Sequence, residues 1–217
     1  MPPDLWEYVE DNSSYHSFIG SSKRVFGAGT LDVNLIASAY RASSKGHRNQ
    51  FRDSGERYFL HVLAVASILL WAMEFGLIKP DAELIAAALL HDLIENKPKR
   101  WNQQRVEEEF TRRTSRIVWS VTKPTKVRFK GDAHARNVAA YRKLDRHEIA
   151  GTLLRIADRL HNIRTLWNTP NRNRNKLEET VEFVVPRARK CGFLLEELIA
   201  EMGRQYERIS KLTKRMI

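Results

Sequence analysis

The sequence of 217 residues has one cysteine, Cys191, and only 10 glycines and 7 prolines. One thiol excludes an intramolecular disulfide and a thiolate zinc cage, so any metal would be held by nitrogen and oxygen ligands, and a reducing compartment is favoured. No apolar run approaches the roughly 20 residues that span a bilayer, and the start of the chain lacks the pattern of a signal peptide. We therefore expect a cytoplasmic protein with no membrane partner.

Glycine and proline are too sparse for a sandwich of short strands and turns, which favours an α-rich class. The formal net charge of +11 indicates a polyanionic partner, because clustered Lys and Arg attract phosphates. Zinc-finger spacing, heptads and aromatic-basic motifs are absent from the sequence, which disfavours nucleic acid as a partner, but the charge alone leaves both nucleic acid and small phosphorylated nucleotides open. Nothing in the pattern indicates an oligomeric state.

Helical periodicity predicts an all-α bundle in one domain, residues 30–217, preceded by an N-terminal extension, residues 1–29. Thr30 and Asp81 are predicted N-caps, and Gly46, Gly76 and Pro98 are predicted ends of helices. The predicted helices cover residues 31–46, 59–75, 82–96, 102–121, 133–147 and 151–167, with closing helices in 177–213 that break near Gly192 and Gly203. Residues 170–176 are predicted to form a polar loop.

Histidine and aspartate recur against apolar neighbours on three of these helices. His91 and Asp92 follow the apolar run 85–90, His61 lies within the apolar stretch 59–73, and Asp158 lies on a polar stripe. A buried aspartate is costly unless it is paired or ligated, so the set indicates a divalent cation. The open alternatives are a core histidine and a salt-bridged aspartate. Ligand hardness favours Mn²⁺, followed by Fe²⁺, Zn²⁺, Ni²⁺ and Mg²⁺.

A basic segment, residues 122–132, interrupts the helical pattern with Pro124 and Gly131. It is predicted to be a mobile loop beside an anion site, although charge runs are usually solvated faces. Its basic residues are Lys123, Lys126, Arg128 and Lys130.

The order His, His-Asp, Asp resembles the HD superfamily. The stretches RDSGERYFLHVLAVASIL, AAALLHDLIEN, VTK, RIADRLHNIRTL and ETVEFVVPRARKCG narrow the resemblance to the hydrolase domain of RelA/SpoT homologues, over residues 33–195. The resemblance implies a small alarmone hydrolase without a synthetase domain. It implies hydrolysis of the 3′-pyrophosphate of the guanosine tetra- and pentaphosphates (p)ppGpp to GDP or GTP and pyrophosphate, with Mn²⁺ as the usual ion.

Carried over by position, the resemblance implies the metal ligands His61, His91, Asp92 and Asp158. Glu95 and Asn96 take the positions of the family's catalytic Glu-Asp pair, with Glu95 acting on the attacking water. Arg52 matches the arginine that stacks on the base, with Ser54 beside it, and Asn162 matches the asparagine that contacts the nucleotide. Lys123, Lys126 and Arg128 are predicted to bind phosphates.

The sequence departs from the family pattern at three positions, where it has Asn96 instead of the second acid, Asp53 after Arg52, and Arg57 instead of a proline. Asn96 can orient water but cannot accept its proton. Two alternatives therefore stay open. One is an HD phosphohydrolase acting on another nucleotide, such as an adenosine alarmone or NADPH, and the other is a non-catalytic protein that binds alarmones or nucleic acid.

Overall fold

The protein consists mainly of α-helices, as the scarcity of glycine and proline predicts. The computed structural model describes residues 2–166 and 170–215, and it describes no side chains for residues 170–173 and 212–215. Within those residues the one extended pairing outside the helices is an isolated antiparallel bridge between Phe51 and Arg57. The predicted all-α class is confirmed.

The chain forms two compact units, residues 1–154 and residues 155–217. The helices of the first unit are α1 (Leu5–Asp11), α2 (Tyr15–Phe26), α3 (Leu31–Gly46), α4 (Tyr58–Glu74), α5 (Ala82–Leu90), α6 (Leu93–Asn96), α7 (Gln103–Glu109), α8 (Arg112–Val121) and α9 (Ala133–Leu144), with a 3₁₀ turn at Lys126–Phe129. Helix α10 (Ile149–Arg164) follows. The second unit continues with α11 (Pro170–Glu179), a π-helical turn (Thr180–Val184), α12 (Val185–Cys191) and α13 (Leu195–Arg215).

Helices α4 and α5 form the centre of the first unit. Every residue of α4 from His61 to Met73 is buried, and so is every residue of α5 except Glu83. Such helices have no polar face because neighbouring helices surround them, and α5 packs against α3, α4 and α8. Polar side chains on α4 and α5 therefore have to find their partners inside the protein.

The helix starts follow the predicted capping chemistry. Thr30 Oγ1 accepts a hydrogen bond from the Val33 backbone N–H, and Asp81 Oδ1 accepts one from Leu84, so each satisfies an amide that the helix leaves unpaired. Gly76 follows α4 with a φ of +76°, a left-handed conformation that costs glycine little. Local sequence therefore sets these boundaries.

The predicted N-terminal extension is itself helical and packs on α4. Tyr8 Oη of α1 donates a hydrogen bond to Glu74 Oε2 at 2.6 Å, and Arg24 of α2 pairs with the other oxygen of the same carboxylate. Trp71 Nε1 donates to the Pro3 carbonyl oxygen at 3.2 Å. Burial and the hydrogen bond to Glu74 raise the pKa of Tyr8, so its hydroxyl remains the donor. The division of the chain into residues 1–29 and 30–217 remains a prediction.

Three local predictions outside the region of His91 and Asp92 were wrong. Residues 102–121 form two helices instead of one, because Asn102 and Thr111 each cap a helix start, as shown by their hydrogen bonds from Arg105 and Thr114. The predicted loop 170–176 belongs to α11, and α13 passes through Gly203 without a break. The break at Gly192 is present, with a φ of +63°. Of the predicted helix 151–167, residue 167 lies outside the described residues.

The buried charges of the second unit include Arg159 and Glu201, and both are paired. Arg159 is 3% exposed and donates a hydrogen bond to Glu179, while Glu201 is 2% exposed and accepts hydrogen bonds from Arg164 and Arg204. Pairing offsets the cost of removing these groups from water. Across both units, none of the described helices has the length and apolar character that a membrane crossing requires.

Candidate metal centre

Two consecutive core helices bring three metal-ligand side chains together. His61 lies in the first turn of α4, while His91 and Asp92 follow the last residue of α5. The Nε2 atoms of His61 and His91 lie 3.8 Å and 3.4 Å from the same oxygen, Asp92 Oδ2. One ligand atom from each residue lies within 4.8 Å of the other two, and both histidines are buried. The structure thus joins three of the four predicted ligands.

A backbone contact favours one tautomer of His91. Its Nδ1 lies 2.7 Å from the Ala88 carbonyl oxygen, and only a protonated nitrogen can donate to a carbonyl. The neutral ring then has its lone pair on Nε2, the atom that faces Asp92. Two imidazole nitrogens and one carboxylate oxygen in a buried site are donors that suit a divalent transition metal. These three residues therefore fit a metal ion.

The predicted helix 82–96 is interrupted at this site. Helix α5 ends at Leu90 and α6 begins at Leu93, with Asp92 at φ −95° and ψ −5°. Asp92 is therefore placed in a turn between the helices. The turn was not predicted, since the stretch contains neither glycine nor proline before Pro98.

Tyr58 is a site residue that the sequence analysis missed. Its hydroxyl donates a hydrogen bond to Asp92 Oδ2 at 2.6 Å, and its ring stacks on His47 with centroids 5.0 Å apart. Burial lowers the pKa of His47, which favours its neutral form, and its Nδ1 lies 3.0 Å from Gln50 Oε1. The available signal was spacing, because Tyr58 precedes His61 by one helical turn.

Glu95 links the His-Asp turn to the basic segment. Its Oε1 accepts a hydrogen bond from the Lys123 backbone N–H, and its Oε2 lies 4.0 Å from Arg136 Nη2. The Lys123 ammonium donates to Asn137 Oδ1 at 3.0 Å. Within the described residues, the buried Nδ2 group of the neighbouring Asn96 has no hydrogen-bond acceptor. Glu95 and Lys123 are thus brought together, although they are 28 residues apart.

The other basic residues predicted to bind phosphates are exposed to solvent. The predicted loop contains the 3₁₀ turn Lys126–Phe129, in which Lys126 and Arg128 are exposed. Neither forms an ion pair within the part of the chain that the structure describes. Arg128, Phe129 and Pro124 line a cavity of about 670 Å³ with residues of α9.

Arg52 and Ser54 lie in a tight turn immediately before α4. The Arg52 N–H donates to the Glu56 carbonyl oxygen at 2.8 Å, and Gly55 occupies the turn with a φ of +85°. The Arg52 guanidinium lies 3.7 Å from the Glu56 carboxylate, while Ser54 is exposed. The turn leads directly into Tyr58 and the helix that carries His61.

Asp158 lies in the second unit, where residues of its own helix hold its carboxylate. Asn162 Nδ2 donates to Oδ1 at 2.6 Å, and Arg155 Nη1 donates to Oδ2 at 3.0 Å. Asp158 is 6% exposed. Its pairing with the predicted nucleotide contact Asn162 follows from the i, i+4 spacing on a helix. The ion pair with Arg155 was not predicted.

An all-helical fold that places His61 beside His91-Asp92 defines a protein of the HD class. The family model described as the HD domain matches residues 39–192, and the chain belongs to this family. The match includes residues of both structural units.

The chain is also similar to curated proteins. It is 37% identical over 150 residues to a guanosine-3′,5′-bis(diphosphate) 3′-pyrophosphohydrolase of Haemophilus influenzae, covering 67% of this chain and 21% of the relative. It is 35% identical over 163 residues to the bifunctional (p)ppGpp synthase/hydrolase SpoT of Escherichia coli K12, covering 74% of this chain and 22% of that protein. The chain thus spans about a fifth of the length of these relatives.

A solved structure shares the fold. It is described by the words "A metazoan ortholog of SpoT hydrolyzes ppGpp and plays a role in starvation responses". The TM-score is 0.64 at 22% sequence identity, over 79% of this chain and 95% of the other. Identity at this level supports the common fold alone.

Proposed function

We propose that this chain hydrolyses the 3′-pyrophosphate of guanosine tetra- and pentaphosphate, releasing pyrophosphate and leaving GDP or GTP. The observation that carries the proposal is the convergence of His61, His91 and Asp92 in an HD-family fold. The names of the similar bacterial proteins supply the substrate class. A cytoplasmic location belongs to the same proposal, because a nucleotide substrate and a single cysteine suit a reducing compartment.

The ion in this proposal is Mn²⁺, held by His61, His91 and Asp92 with Asp158 as the fourth ligand. Mixed imidazole and carboxylate donors support that choice. A bound divalent ion supplies Lewis acidity that polarises a phosphoryl oxygen and makes water more acidic. Asp158 is included because it is buried and because it stands where the similar family has its last metal ligand. Arg155 donates a hydrogen bond to Asp158 Oδ2, so it has to release the carboxylate oxygen that binds the ion.

In the proposed reaction, a water oxygen bonds to the phosphorus attached at the ribose 3′ oxygen while the bond between that oxygen and phosphorus breaks. Glu95 accepts the proton of the water, and the 3′ oxygen takes up a proton to become a hydroxyl. Asn96 cannot accept a proton, so its role is to orient groups. The contact between Glu95 and the Lys123 backbone supports a site in which the acid and the phosphate-binding segment meet.

The remaining residues bind the nucleotide. Arg52 has a planar guanidinium that can stack on the base, with Ser54 in the same turn. Asn162 contacts the nucleoside, and Lys123, Lys126 and Arg128 bind the phosphates. Lys126 and Arg128 support this assignment, because their side chains are exposed and form no ion pair with any residue that the structure describes, which leaves them available to an anion.

The test is turnover of ppGpp with added Mn²⁺, with the products separated by ion exchange. GDP and pyrophosphate in equal amounts are expected, and Glu95→Gln should lose activity while still binding Mn²⁺. Glu207→Gln, which changes an exposed acid of α13, is the matched control and should leave turnover unchanged.

Other products would contradict the proposal. Turnover of an adenosine alarmone or NADPH without turnover of ppGpp would assign the site to another nucleotide. Tight ppGpp binding without turnover by a folded, Mn²⁺-loaded protein would support the non-catalytic alternative.

A further inference from the structure

A basic cleft lies beside the metal centre, within the first unit. It has a volume of about 680 Å³, and its walls are the end of α3 with the residues that follow it and the segment directly after α6. Its basic residues are Lys45, Arg48, Lys97, Lys99 and Arg100, and no acidic residue lines it. We define this set of five cations as the basic cleft.

None of these five cations forms an ion pair with a carboxylate in residues 2–166 or 170–215. Arg113 of the same unit, in contrast, contacts both Asp81 and Glu83. Like charges gathered around one cavity repel each other, and their combined potential attracts an anion. Five unneutralised charges are best matched by a ligand with several negative charges, instead of one carboxylate.

An uncharged hydrogen-bond donor, the side-chain amide of Asn96, also favours an anionic ligand. Asn96 also lines the cleft, and its buried Nδ2 group has no hydrogen-bond acceptor among the side chains and backbone that the structure describes. A buried donor without a partner is costly, and an anionic oxygen is a strong acceptor. A phosphate chain supplies such oxygens along its whole length.

Both walls of the cleft continue into the metal centre. On the α3 side, His47 lies between Gly46 and Arg48 and stacks on Tyr58, which donates to Asp92. On the other side, the Asn96 N–H donates to the Asp92 carbonyl oxygen at 2.9 Å. An occupant of the cleft would therefore lie close to the residues that hold the metal ligand Asp92.

The lining also indicates the class of ligand. It contains no aromatic residue, whereas surfaces that bind single-stranded nucleic acid usually stack bases on aromatic side chains. The volume is within the range of small-molecule sites. We propose that the basic cleft binds the polyphosphate chain of a nucleotide, as a site separate from the metal ligands. The chain belongs either to the distal end of the hydrolysed nucleotide or to a second nucleotide.

The first experiment measures binding of inorganic tripolyphosphate by calorimetry to the full chain in buffer with EDTA. The cleft variant is Lys97→Gln/Lys99→Gln/Arg100→Gln. The matched control, Lys79→Gln/Arg112→Gln/Lys190→Gln, removes the same charge from exposed positions elsewhere. The cleft variant should weaken binding about tenfold or more, and the control less than about threefold, because a local charge cluster acts within roughly one Debye length.

Three results would overturn the proposal: no binding of tripolyphosphate to the wild type at low salt, equal binding to the wild type and cleft variant, or equal weakening by the control. Preferential binding of an RNA oligonucleotide, increasing with its length and lost in the cleft variant, would also overturn it and assign the cleft to nucleic acid. The binding measurement needs neither metal nor turnover, so its failure is distinguishable from failure of the proposed hydrolysis.

A second measurement identifies the source of the phosphate chain. If it belongs to the substrate, the cleft variant should raise KM for ppGpp by about the factor lost in tripolyphosphate binding, with kcat unchanged, as expected for lost uniform binding. If it belongs to a second nucleotide, KM should stay constant, and added GTP should change wild-type turnover but not turnover by the cleft variant. Both results support a phosphate site in the cleft.

Discussion

The two histidines of the candidate metal centre and the basic segment, residues 122–132, are held in opposite ways. His61 and His91 are 2% and 3% exposed; His61 lies in α4 and His91 directly follows α5, two helices that are buried on all sides. Lys126 and Arg128 are exposed on a short 3₁₀ turn and have no ion pair within the described residues. Burial fixes the direction of a side chain through packing, while an exposed cation samples many rotamers. Substitutions should therefore have larger effects at the buried ligands than at the exposed cations.

The largest effect is expected for His91→Ala. The variant removes one of two imidazole donors and leaves Asp92 with fewer partners, so Mn²⁺ affinity should fall by at least about 100-fold. Calorimetric titration of metal-free protein measures it, with the exposed His16→Ala as the control. Unchanged affinity in His91→Ala would contradict the assignment of the metal centre.

Asp158→Asn tests whether the second unit contributes a ligand. If Asp158 binds the ion, Mn²⁺ affinity should fall by about 10- to 100-fold. If its carboxylate serves only the ion pair with Arg155, affinity should stay constant while the thermal midpoint decreases. Titration and thermal unfolding of the same sample separate these outcomes, with Glu207→Gln as the control.

Tyr58→Phe should have an intermediate effect. It keeps the ring stacked near His47 and removes the hydroxyl that donates to Asp92 Oδ2. Loss of this positioning hydrogen bond should weaken Mn²⁺ binding by about tenfold. Titration with Mn²⁺ measures this change in affinity. The exposed Tyr206→Phe variant is the control and should behave as wild type. A Tyr58→Phe protein with wild-type affinity would show that Asp92 is held without the hydroxyl.

The smallest effect is expected for Lys126→Gln/Arg128→Gln. Two exposed cations should raise KM for ppGpp by about two- to fivefold at low salt, with kcat unchanged, and the difference should vanish at high ionic strength. Steady-state kinetics at two salt concentrations measures it, and Lys79→Gln/Arg112→Gln is the control. An effect as large as that of His91→Ala would break the contrast between buried and exposed site residues.

Periodicity, capping residues and the cost of burying charge were sufficient to predict much of this protein. Thr30 and Asp81 cap their helices as expected, and the His61 and His91-Asp92 motifs meet in the core. Long helices with strong local signals are predictable because each signal acts within one or two turns.

The errors occurred where local signals were weak or misleading. Residues 102–121 keep their apolar spacing through Thr111, which nevertheless caps a new helix. Residues 170–176 are strongly polar and yet helical, because polarity alone does not prevent helix formation.

The sequence by itself determined the all-helical class, the starts of α3 and α5 and the three residues that gather at the candidate metal centre. The physical reason is that burial of histidine and aspartate among apolar residues requires a partner. Only the tertiary structure decided which atoms meet: Tyr58 with Asp92, Glu95 with the Lys123 backbone, and two distant segments around one basic cleft. Those contacts depend on how helices pack, and packing joins residues that no local pattern relates.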